Sequence, residues 1–363
     1  RMNNNNREYI NSELARLDLL IHREILRLRA CYQLCLDEFR GLYISDQQVD
    51  SLINQFAAEK GGHPGINELT EKAELLCNSN REKYQGSTPL LKVAKEFDLS
   101  PFEQDVLLLA LAPEINLKYE TLYAYLNNDV TRKYPTCNLA LHLFSSDTTE
   151  RMSLRKYLLP EATLFRYGLI KPVQSSQAHP SWLAGGFFLL PMVTHHLQGF
   201  ATLPTSLAHC AVMTIPETKW EDLPLSQELG MVLRRSLTVF KQVQSGKHSP
   251  ILIFEGHYGS GRSMAAGALC REIGLPMLHI NMEALRASAE PITKFIQNLL
   301  ILQRFQPSGV YIDHCAAFFD KEGNLLPDYF NVMNNLVRLK GPVILACTPG
   351  TRWHEPMKGQ RHI

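Results

Sequence analysis

The chain has 363 residues, and its 37 basic and 36 acidic side chains leave a formal net charge of +1. This balance supplies no overall field that would draw the chain onto nucleic acid or a membrane surface, and no apolar run is long enough to predict a membrane-spanning helix. The eight cysteines are scattered along the chain, which favours a reducing compartment over a disulfide scaffold. We therefore expect a soluble, cytoplasmic protein of two or three domains.

The first 85 residues predict an N-terminal helical region. Between about Glu8 and Arg40, apolar side chains recur every seven residues in one stripe, formed by Leu14, Ile21, Leu28 and Cys35 and by Ile25, Tyr32 and Phe39. This stripe is compatible with packing on its own domain, which we favour, or with a coiled-coil seam between subunits. Further helices are predicted near 45–60 and from the breaker at 61–65 to about Asn78.

Residues 86–172 predict a mainly helical domain of the helix-turn-helix or winged-helix type. Ser100 is the expected N-cap and Pro101 the first residue of a helix that ends before Pro113. The other predicted helices are Leu90–Phe97, Lys118–Leu126, Asn138–Phe144 and Arg151–Leu158. Residues 173–224 are rich in Pro, Gly and Ser and predict a connector with local strands and a short helix near 192–197.

The residues from Ser100 to Glu114 and from Tyr119 to Thr136 closely resemble a particular winged-helix domain. That domain precedes the AAA+ modules of bacterial ATPases encoded with extracellular contractile injection systems of the antifeeding-prophage and Photorhabdus virulence cassette type. The resemblance covers roughly residues 90–170. It implies a ring-shaped homo-oligomer, with a hexamer as one candidate ring size, that acts on protein partners such as particle components or cargo. It also implies a second AAA+ module beyond this chain.

A winged helix also raises the possibility of DNA binding. The predicted third helix, 118–126, carries Lys118 as its one basic residue, and Arg132 and Lys133 follow in a loop. A DNA reader needs several phosphate and base contacts, so we expect this domain and the N-terminal helices to dock proteins instead. A DNA-binding regulator remains an alternative.

Residues 225–363 predict an α/β core around a phosphate-binding loop. The strand Ile251–Phe254, a glycine-rich loop and a helix from Ser263 to Ile273 follow the P-loop order, because glycines let backbone N–H groups surround an anion. The predicted phosphate-binding residues are Gly256, His257, Tyr258, Gly259, Ser260, Gly261, Arg262 and Ser263. A glycine-rich turn without a ligand is the alternative.

Four residues of this core depart from, or match, the AAA+ pattern. Arg262 stands where the motif has Lys. Asp313 ends an apolar strand like a Walker-B aspartate, so it and Ser263 are the predicted Mg²⁺ ligands, although a structural cap is also possible for Asp313. His314 stands where the family has a catalytic Glu, and Thr348 matches the sensor-1 position. These two residues are the catalytic candidates.

The sequence therefore predicts an α/β AAA+ P-loop core, which is a parallel sheet with flanking helices. The helical lid that should follow sensor 1 is expected to be missing. The core is preceded by the winged-helix domain and the N-terminal helical region. Because Lys and Glu are both replaced, we expect a degenerate module that binds ATP or ADP with Mg²⁺ weakly or not at all. The alternatives are a competent ATPase, in which Arg262 replaces Lys and His314 orients water, and an oligomerisation module built on the heptad stripe.

Overall fold

The computed structural model describes residues 4–31, 64–174, 181–200, 203–224, 226–243, 251–288, 291–322, 324–339 and 341–350. The chain divides into two compact units, one up to Thr202 and one from Leu203 onward. The helix predicted near 45–60 and the part of the heptad stripe beyond Cys31 lie outside the described residues. Among the described residues, no helix combines the length and apolar character needed to cross a lipid bilayer.

The first unit is mainly helical. Its helices and strands are α1 (Asn4–Cys31), α2 (Pro64–Tyr84), α3 (Pro89–Glu96), α4 (Pro101–Ile115), α5 (Lys118–Leu126), α6 (Cys137–Leu143), α7 (Thr148–Leu154), α8 (Thr163–Arg166), β1 (Ile170–Pro172), β2 (Phe187–Leu189) and α9 (Pro191–Leu197). Short 3₁₀ helices span Arg155–Leu158 and Trp182–Ala184. The predicted helix near 192–197 is confirmed as α9.

Helix α1 packs lengthwise on α2. Leu14, Leu17 and Ile21 are buried, and Tyr9 meets Tyr84 edge to face with ring centroids 5.1 Å apart. Of the described residues of the heptad stripe, Leu14 and Ile21 are thus buried within their own unit, whereas Ile25 and Leu28 are half-buried.

Buried polar contacts join α1 to the other helices. Arg16 donates to Glu13 at 2.8 Å and pairs with Asp105 of α4, and Asn80 of α2 donates to the same Glu13 carboxylate at 2.7 Å. Arg23 donates at 2.6 Å to the carbonyl oxygen of Leu143, the last residue of α6. Buried polar groups need such partners, so these contacts fix how α1 lies on the unit.

Helix α4 begins as predicted but ends later. The Ser100 hydroxyl accepts from the backbone N–H of Glu103, and the Glu103 carboxylate accepts from the N–H of Ser100, forming a capping box before Pro101. The prediction that the helix stops before Pro113 is wrong, because α4 runs through Pro113 to Ile115. A proline inside a helix leaves the carbonyl four residues earlier without its usual donor. Here the buried Tyr123 hydroxyl donates to that carbonyl, on Leu109, at 2.7 Å.

A small β-structure follows the helices of the first unit. Strands β1 and β2 pair antiparallel, with Ile170 opposite Leu189, and Thr136 forms an isolated antiparallel bridge to Gly186. A Cβ atom on Gly186 would collide with the Tyr134 ring. The hairpin therefore requires glycine at this position for a close approach to an aromatic side chain.

The second unit contains a five-stranded mixed sheet. Its elements are α10 (Thr205–Ala208), β3 (Ala211–Thr214), α11 (Gln227–Val243), β4 (Ile251–Glu255), α12 (Arg262–Glu272), β5 (Met277–Asn281), α13 (Met282–Ala287), α14 (Ile292–Phe305), β6 (Gly309–Asp313), α15 (Pro327–Leu336) and β7 (Val343–Cys347). Short 3₁₀ helices span Trp220–Asp222 and Cys315–Phe318. The strand order is β3-β5-β6-β7-β4.

Four strands are parallel, as the sequence predicts, and β3 is antiparallel to β5 at one edge. The predicted connector, 173–224, is thus divided between the units, because β2 and α9 lie in the first unit whereas β3 joins the second unit's sheet. One core cluster of this unit contains Leu237 of α11, Leu269 of α12 and Tyr311 of β6. It covers the face of the sheet on which Asp313 also lies, since alternate residues of a strand share a face.

Candidate functional site

The glycine-rich loop joins the carboxyl end of β4 to the start of α12. Gly259 and Gly261 both have a φ of 83°, a left-handed conformation that favours glycine. Gly256 lies so close to the loop that a Cβ atom there would come within 2.6 Å of the Ser260 hydroxyl oxygen. Gly261 is the N-cap of α12, so the first backbone N–H groups of this helix have no carbonyl partner within the helix and can bind an anion.

The side chains of the loop differ in exposure. Tyr258 is 95% exposed, His257 is also exposed, and Arg262 and Ser263 at the start of α12 are half-buried. The Arg262 guanidinium donates at 2.6 Å to the carbonyl oxygen of Cys347, the last residue of β7. The one strongly basic side chain of the loop is thus bound to the protein backbone.

Asp313 ends β6, two strands away from β4 in the sheet. Its Oδ1 accepts from the backbone N–H of His314 at 2.8 Å, and its Oδ2 lies 3.9 Å from Nε2 of His279 on β5. The His279 ring meets Tyr311 edge to face, with centroids 4.9 Å apart. Burial lowers the pKa of His279, and this effect outweighs the attraction of Asp313. His279 is therefore more readily neutral than an exposed histidine.

His314 has a left-handed backbone conformation, with a φ of 57°. Its Nδ1 lies 3.6 Å from Oε2 of Glu283, which belongs to α13 on the β5 side of the sheet. The glycine-rich loop follows β4, on the other side of β6. The imidazole of His314 is therefore directed toward a carboxylate that lies away from the loop.

The ends of β4 and β7 are joined by several backbone contacts. Cys347 pairs with Glu255 in the parallel register, and the N–H of Gly256 donates to the Cys347 carbonyl at 3.1 Å. The N–H of Gly350 donates to the Glu255 carboxylate at 2.6 Å. Thr348 lies exposed between these contacts, directly after β7.

The predicted site residues thus come together at the carboxyl edge of one sheet. Arg262, Ser263 and Thr348 lie at the ends of the adjacent strands β4 and β7, and Asp313 lies about 10 Å from β4, at two strand spacings. In the described ranges no group of three His, Cys, Asp or Glu side chains could hold a metal ion by itself.

Three participants were not predicted from the sequence. His279 and Glu283 flank Asp313 and His314, and Glu255 lies at the mouth of the loop. Alternation along β5 places His279 on one face of the sheet, but its nearness to Asp313 depends on the pairing of β5 with β6. That pairing is a property of the sheet, so the local sequence contains no direct signal for it.

Helix α5 of the first unit, which the sequence predicts to be a poor DNA reader, makes several contacts within the unit. Tyr119 and Tyr123 of α5 are 1% and 0% exposed. The Tyr119 hydroxyl donates to Asp18 of α1 at 2.9 Å, and Lys118 pairs with the same carboxylate at 2.6 Å. The buried tyrosines of α5 are therefore directed into the unit, Tyr119 toward α1 and Tyr123 toward the Leu109 carbonyl of α4.

A family model described as "Winged helix domain, variant" matches residues 4–208, more than half of the chain. The chain belongs to this winged-helix family. No curated protein is similar enough to the chain to count as a match. The match includes α1 and α2 as well as the predicted domain 86–172, in agreement with the packing of these helices in one unit.

Basic side chains are also present on the elements next to the hairpin formed by β1 and β2. Helices α6 and α7 precede β1 and β2, whereas α5 comes earlier in the chain. Arg155 and Lys156 of the 3₁₀ turn after α7 are exposed, as is Arg166 of α8. Exposed basic side chains of the first unit thus lie on elements next to the hairpin as well as elsewhere, as at Lys95 of α3.

Proposed function

We propose that the second unit is a degenerate AAA+ nucleotide-binding module, which binds ADP or ATP with Mg²⁺ weakly and does not hydrolyse ATP. The observation that carries this proposal is the loop between β4 and α12. It combines two left-handed glycines, an open helix N-terminus of an 11-residue helix, and Asp313 at the same edge of the sheet. Phosphate binding needs this combination of backbone donors and helix dipole.

The sheet topology supports the same ligand position. The chain passes from β4 at one edge across to β5, and then returns through β6 to β7, next to β4. Ligands of open α/β sheets bind outside the carboxyl ends of the strands. The glycine-rich loop lies at this end of β4, beside the end of β7.

Magnesium would be bound by Asp313 together with Ser263 and the phosphates of the nucleotide. A carboxylate, a hydroxyl and phosphate oxygens are the hard oxygen ligands that Mg²⁺ prefers. The ion would supply charge neutralisation between phosphates. The chain's own contribution is to hold a carboxylate and a hydroxyl at the same sheet edge.

Two contacts support a loss of hydrolysis. Arg262 donates to the Cys347 carbonyl, so its charge is directed at the backbone instead of a phosphate. His314 stands where a water-activating Glu is expected and lies 3.6 Å from Glu283. A misplaced base costs about 10²–10⁴-fold in rate, and the two changes act on different parts of the reaction.

We propose that the winged-helix unit docks the module onto protein partners. This docking role is supported by the contacts of α5 within the unit, where Lys118 pairs with Asp18 instead of facing a phosphate backbone. The resemblance of residues 90–170 to the winged helix of injection-system ATPases suggests that these partners are components or cargo of contractile injection particles, and that the module forms part of a ring.

Calorimetric titration of the full chain with MgADP and MgATP tests the nucleotide proposal. Micromolar binding without phosphate release is expected. Asp313→Asn should weaken binding in Mg²⁺ but not in EDTA, because it removes the charge and keeps the acceptor for the His314 N–H. Glu272→Gln, an equal loss of charge at the exposed far end of α12, is the matched control.

Two results would contradict this proposal. An absence of heat with both nucleotides would leave the loop as a structural turn. Turnover that disappears in Asp313→Asn would favour the competent ATPase, with Arg262 and His314 as its catalytic residues.

A further inference from the structure

The loop after β4 is joined to the end of β7 from two sides. Arg262 donates to the Cys347 carbonyl at 2.6 Å, and the Gly350 N–H donates to the Glu255 carboxylate at 2.6 Å. We call these two contacts the strand-end clamp. It connects the two loops that border the proposed phosphate site.

The Cys347 carbonyl oxygen accepts two hydrogen bonds in this arrangement. It accepts the N–H of Gly256 at 3.1 Å in addition to the Arg262 guanidinium, and a carbonyl oxygen has two lone pairs. The Arg262 contact is charge-assisted, and such hydrogen bonds are stronger than neutral ones. An arginine here holds the end of β7 with a planar, directional donor that a lysine does not have.

The direction of the Arg262 guanidinium determines how much positive charge a bound phosphate would meet at the loop. Arg262 is the only Lys or Arg between Ile251 and Cys270. Glu255 and Asp313 place two carboxylates at the same edge of the sheet. A phosphate would therefore gain little fixed positive charge from this stretch of the chain while Arg262 is bound to the backbone.

We propose that Arg262 is an internal competitor for the nucleotide site, and that the strand-end clamp takes over the bridging role that bound phosphates have in an active module. This inference rests on the proposed function. The clamp stabilises the unit without ligand and keeps nucleotide affinity low. Releasing the clamp destabilises the unit without ligand and does not weaken nucleotide binding.

Two substitutions of Arg262 distinguish a side chain that competes with phosphate for the site from one that binds phosphate. Arg262→Lys keeps the charge but replaces the planar donor with a compact, rotatable ammonium, which can turn from the carbonyl to a phosphate. Arg262→Met keeps an apolar stem and removes every donor. Arg286→Lys makes the same Arg-to-Lys exchange on the exposed surface of α13 and is the control.

The measurements are the melting temperature of the full chain without nucleotide and the dissociation constant for MgADP. Arg262→Lys should bind about ten-fold more tightly than the wild type, equivalent to about 1.4 kcal/mol. Arg262→Met should bind at least as tightly as the wild type. Both should melt lower, by about 2–4 °C for each kcal/mol lost, whereas Arg286→Lys should change neither quantity.

The outcomes distinguish this inference from the proposed function. Binding that Arg262→Met weakens about ten-fold or more would overturn the inference and make Arg262 a phosphate ligand, while the nucleotide module would stand. Equal affinities and equal melting temperatures in all four proteins would also overturn the inference alone. If neither the wild type nor Arg262→Lys binds MgADP, the proposed function fails, and the inference fails with it.

Discussion

The Tyr123 hydroxyl donates a 2.7 Å hydrogen bond to the backbone carbonyl oxygen of Leu109. In a regular helix this carbonyl would accept from the N–H of residue 113, but residue 113 is proline and has no N–H. Tyr123 is fully buried, so water cannot replace the hydroxyl. One side chain of α5 thus compensates for a proline inside α4.

Tyr123→Phe should therefore lower the free energy of unfolding of the first unit by about 1–3 kcal/mol, because it leaves a buried carbonyl unpaired. Pro113→Ala supplies a backbone N–H that can donate to Leu109. In the Pro113→Ala background, Tyr123→Phe should therefore cost less. Urea denaturation of the four members of this double-mutant cycle gives the coupling. Strictly additive costs would contradict the compensation.

The same relationship shows why the start of α4 can be predicted from the sequence and its end cannot. Ser100 and Pro101 predict the start of α4, because a cap is a local signal. The end of α4 depends on Tyr123, a partner 14 residues from Leu109, and a proline alone predicts an earlier end. The strand predicted at Ile251–Phe254 follows from its apolar run for the same local reason and corresponds to β4. Residues 173–224 predict local strands without their positions, so the pairing of β3 with β5 could not be predicted.

The candidate site shows the same division between local and distant signals. The residues of the glycine-rich loop could be named from their spacing, and the structure places them at a sheet edge with Asp313. The partner of Arg262 could not be predicted, since it is a backbone carbonyl 85 residues away. A backbone acceptor is present at every residue, so no residue type indicates which one is used.

Gly186 provides a steric test of the hairpin in the first unit. A Cβ atom at this position would collide with the ring of Tyr134, so Gly186→Ala should lower the free energy of unfolding by about 1–3 kcal/mol. Tyr134→Ala removes the ring and the collision. Adding Gly186→Ala to Tyr134→Ala should then cost almost nothing in a denaturation experiment. A full cost in that background would show that the glycine serves another purpose.

His196 predicts how the first unit responds to acid. Burial, with a smaller effect from Lys92, lowers the pKa of His196 from 6.5 to about 4. Between these values the unfolded chain binds a proton that the folded chain does not, so the free energy of unfolding falls as pH falls from about 6.5 to about 4. Allowing for partial exposure, the loss from about pH 7 to about pH 5 is roughly 1–2 kcal/mol.

His196→Gln should remove this part of the pH dependence, which denaturation at the two pH values measures. The adjacent His195 on the same helix is exposed, so His195→Gln is the matched control and should leave the dependence unchanged. An identical acid sensitivity in wild type and His196→Gln would refute the assignment.

The internal contacts of α5 lead to an expectation about DNA. Lys118 pairs with Asp18 and Tyr119 is buried, so α5 offers no free cation to a phosphate backbone. The exposed cations near the hairpin are few, with Arg155 and Lys156 adjacent to each other. We therefore expect any affinity for duplex DNA to be non-specific, with a dissociation constant on the order of 10⁻⁴–10⁻⁶ M at physiological salt.

Fluorescence anisotropy with duplexes of different sequence, at two salt concentrations, measures this affinity. Replacing Arg155 and Lys156 with Ala should weaken binding equally for all sequences and reduce the salt dependence, because each phosphate contact releases counterions. Lys118→Ala should change nothing, and Lys95→Ala, at an exposed site on α3, is the control. Nanomolar affinity for one sequence, lost with Arg155 and Lys156, would instead make the winged helix a DNA reader and would count against its proposed docking role.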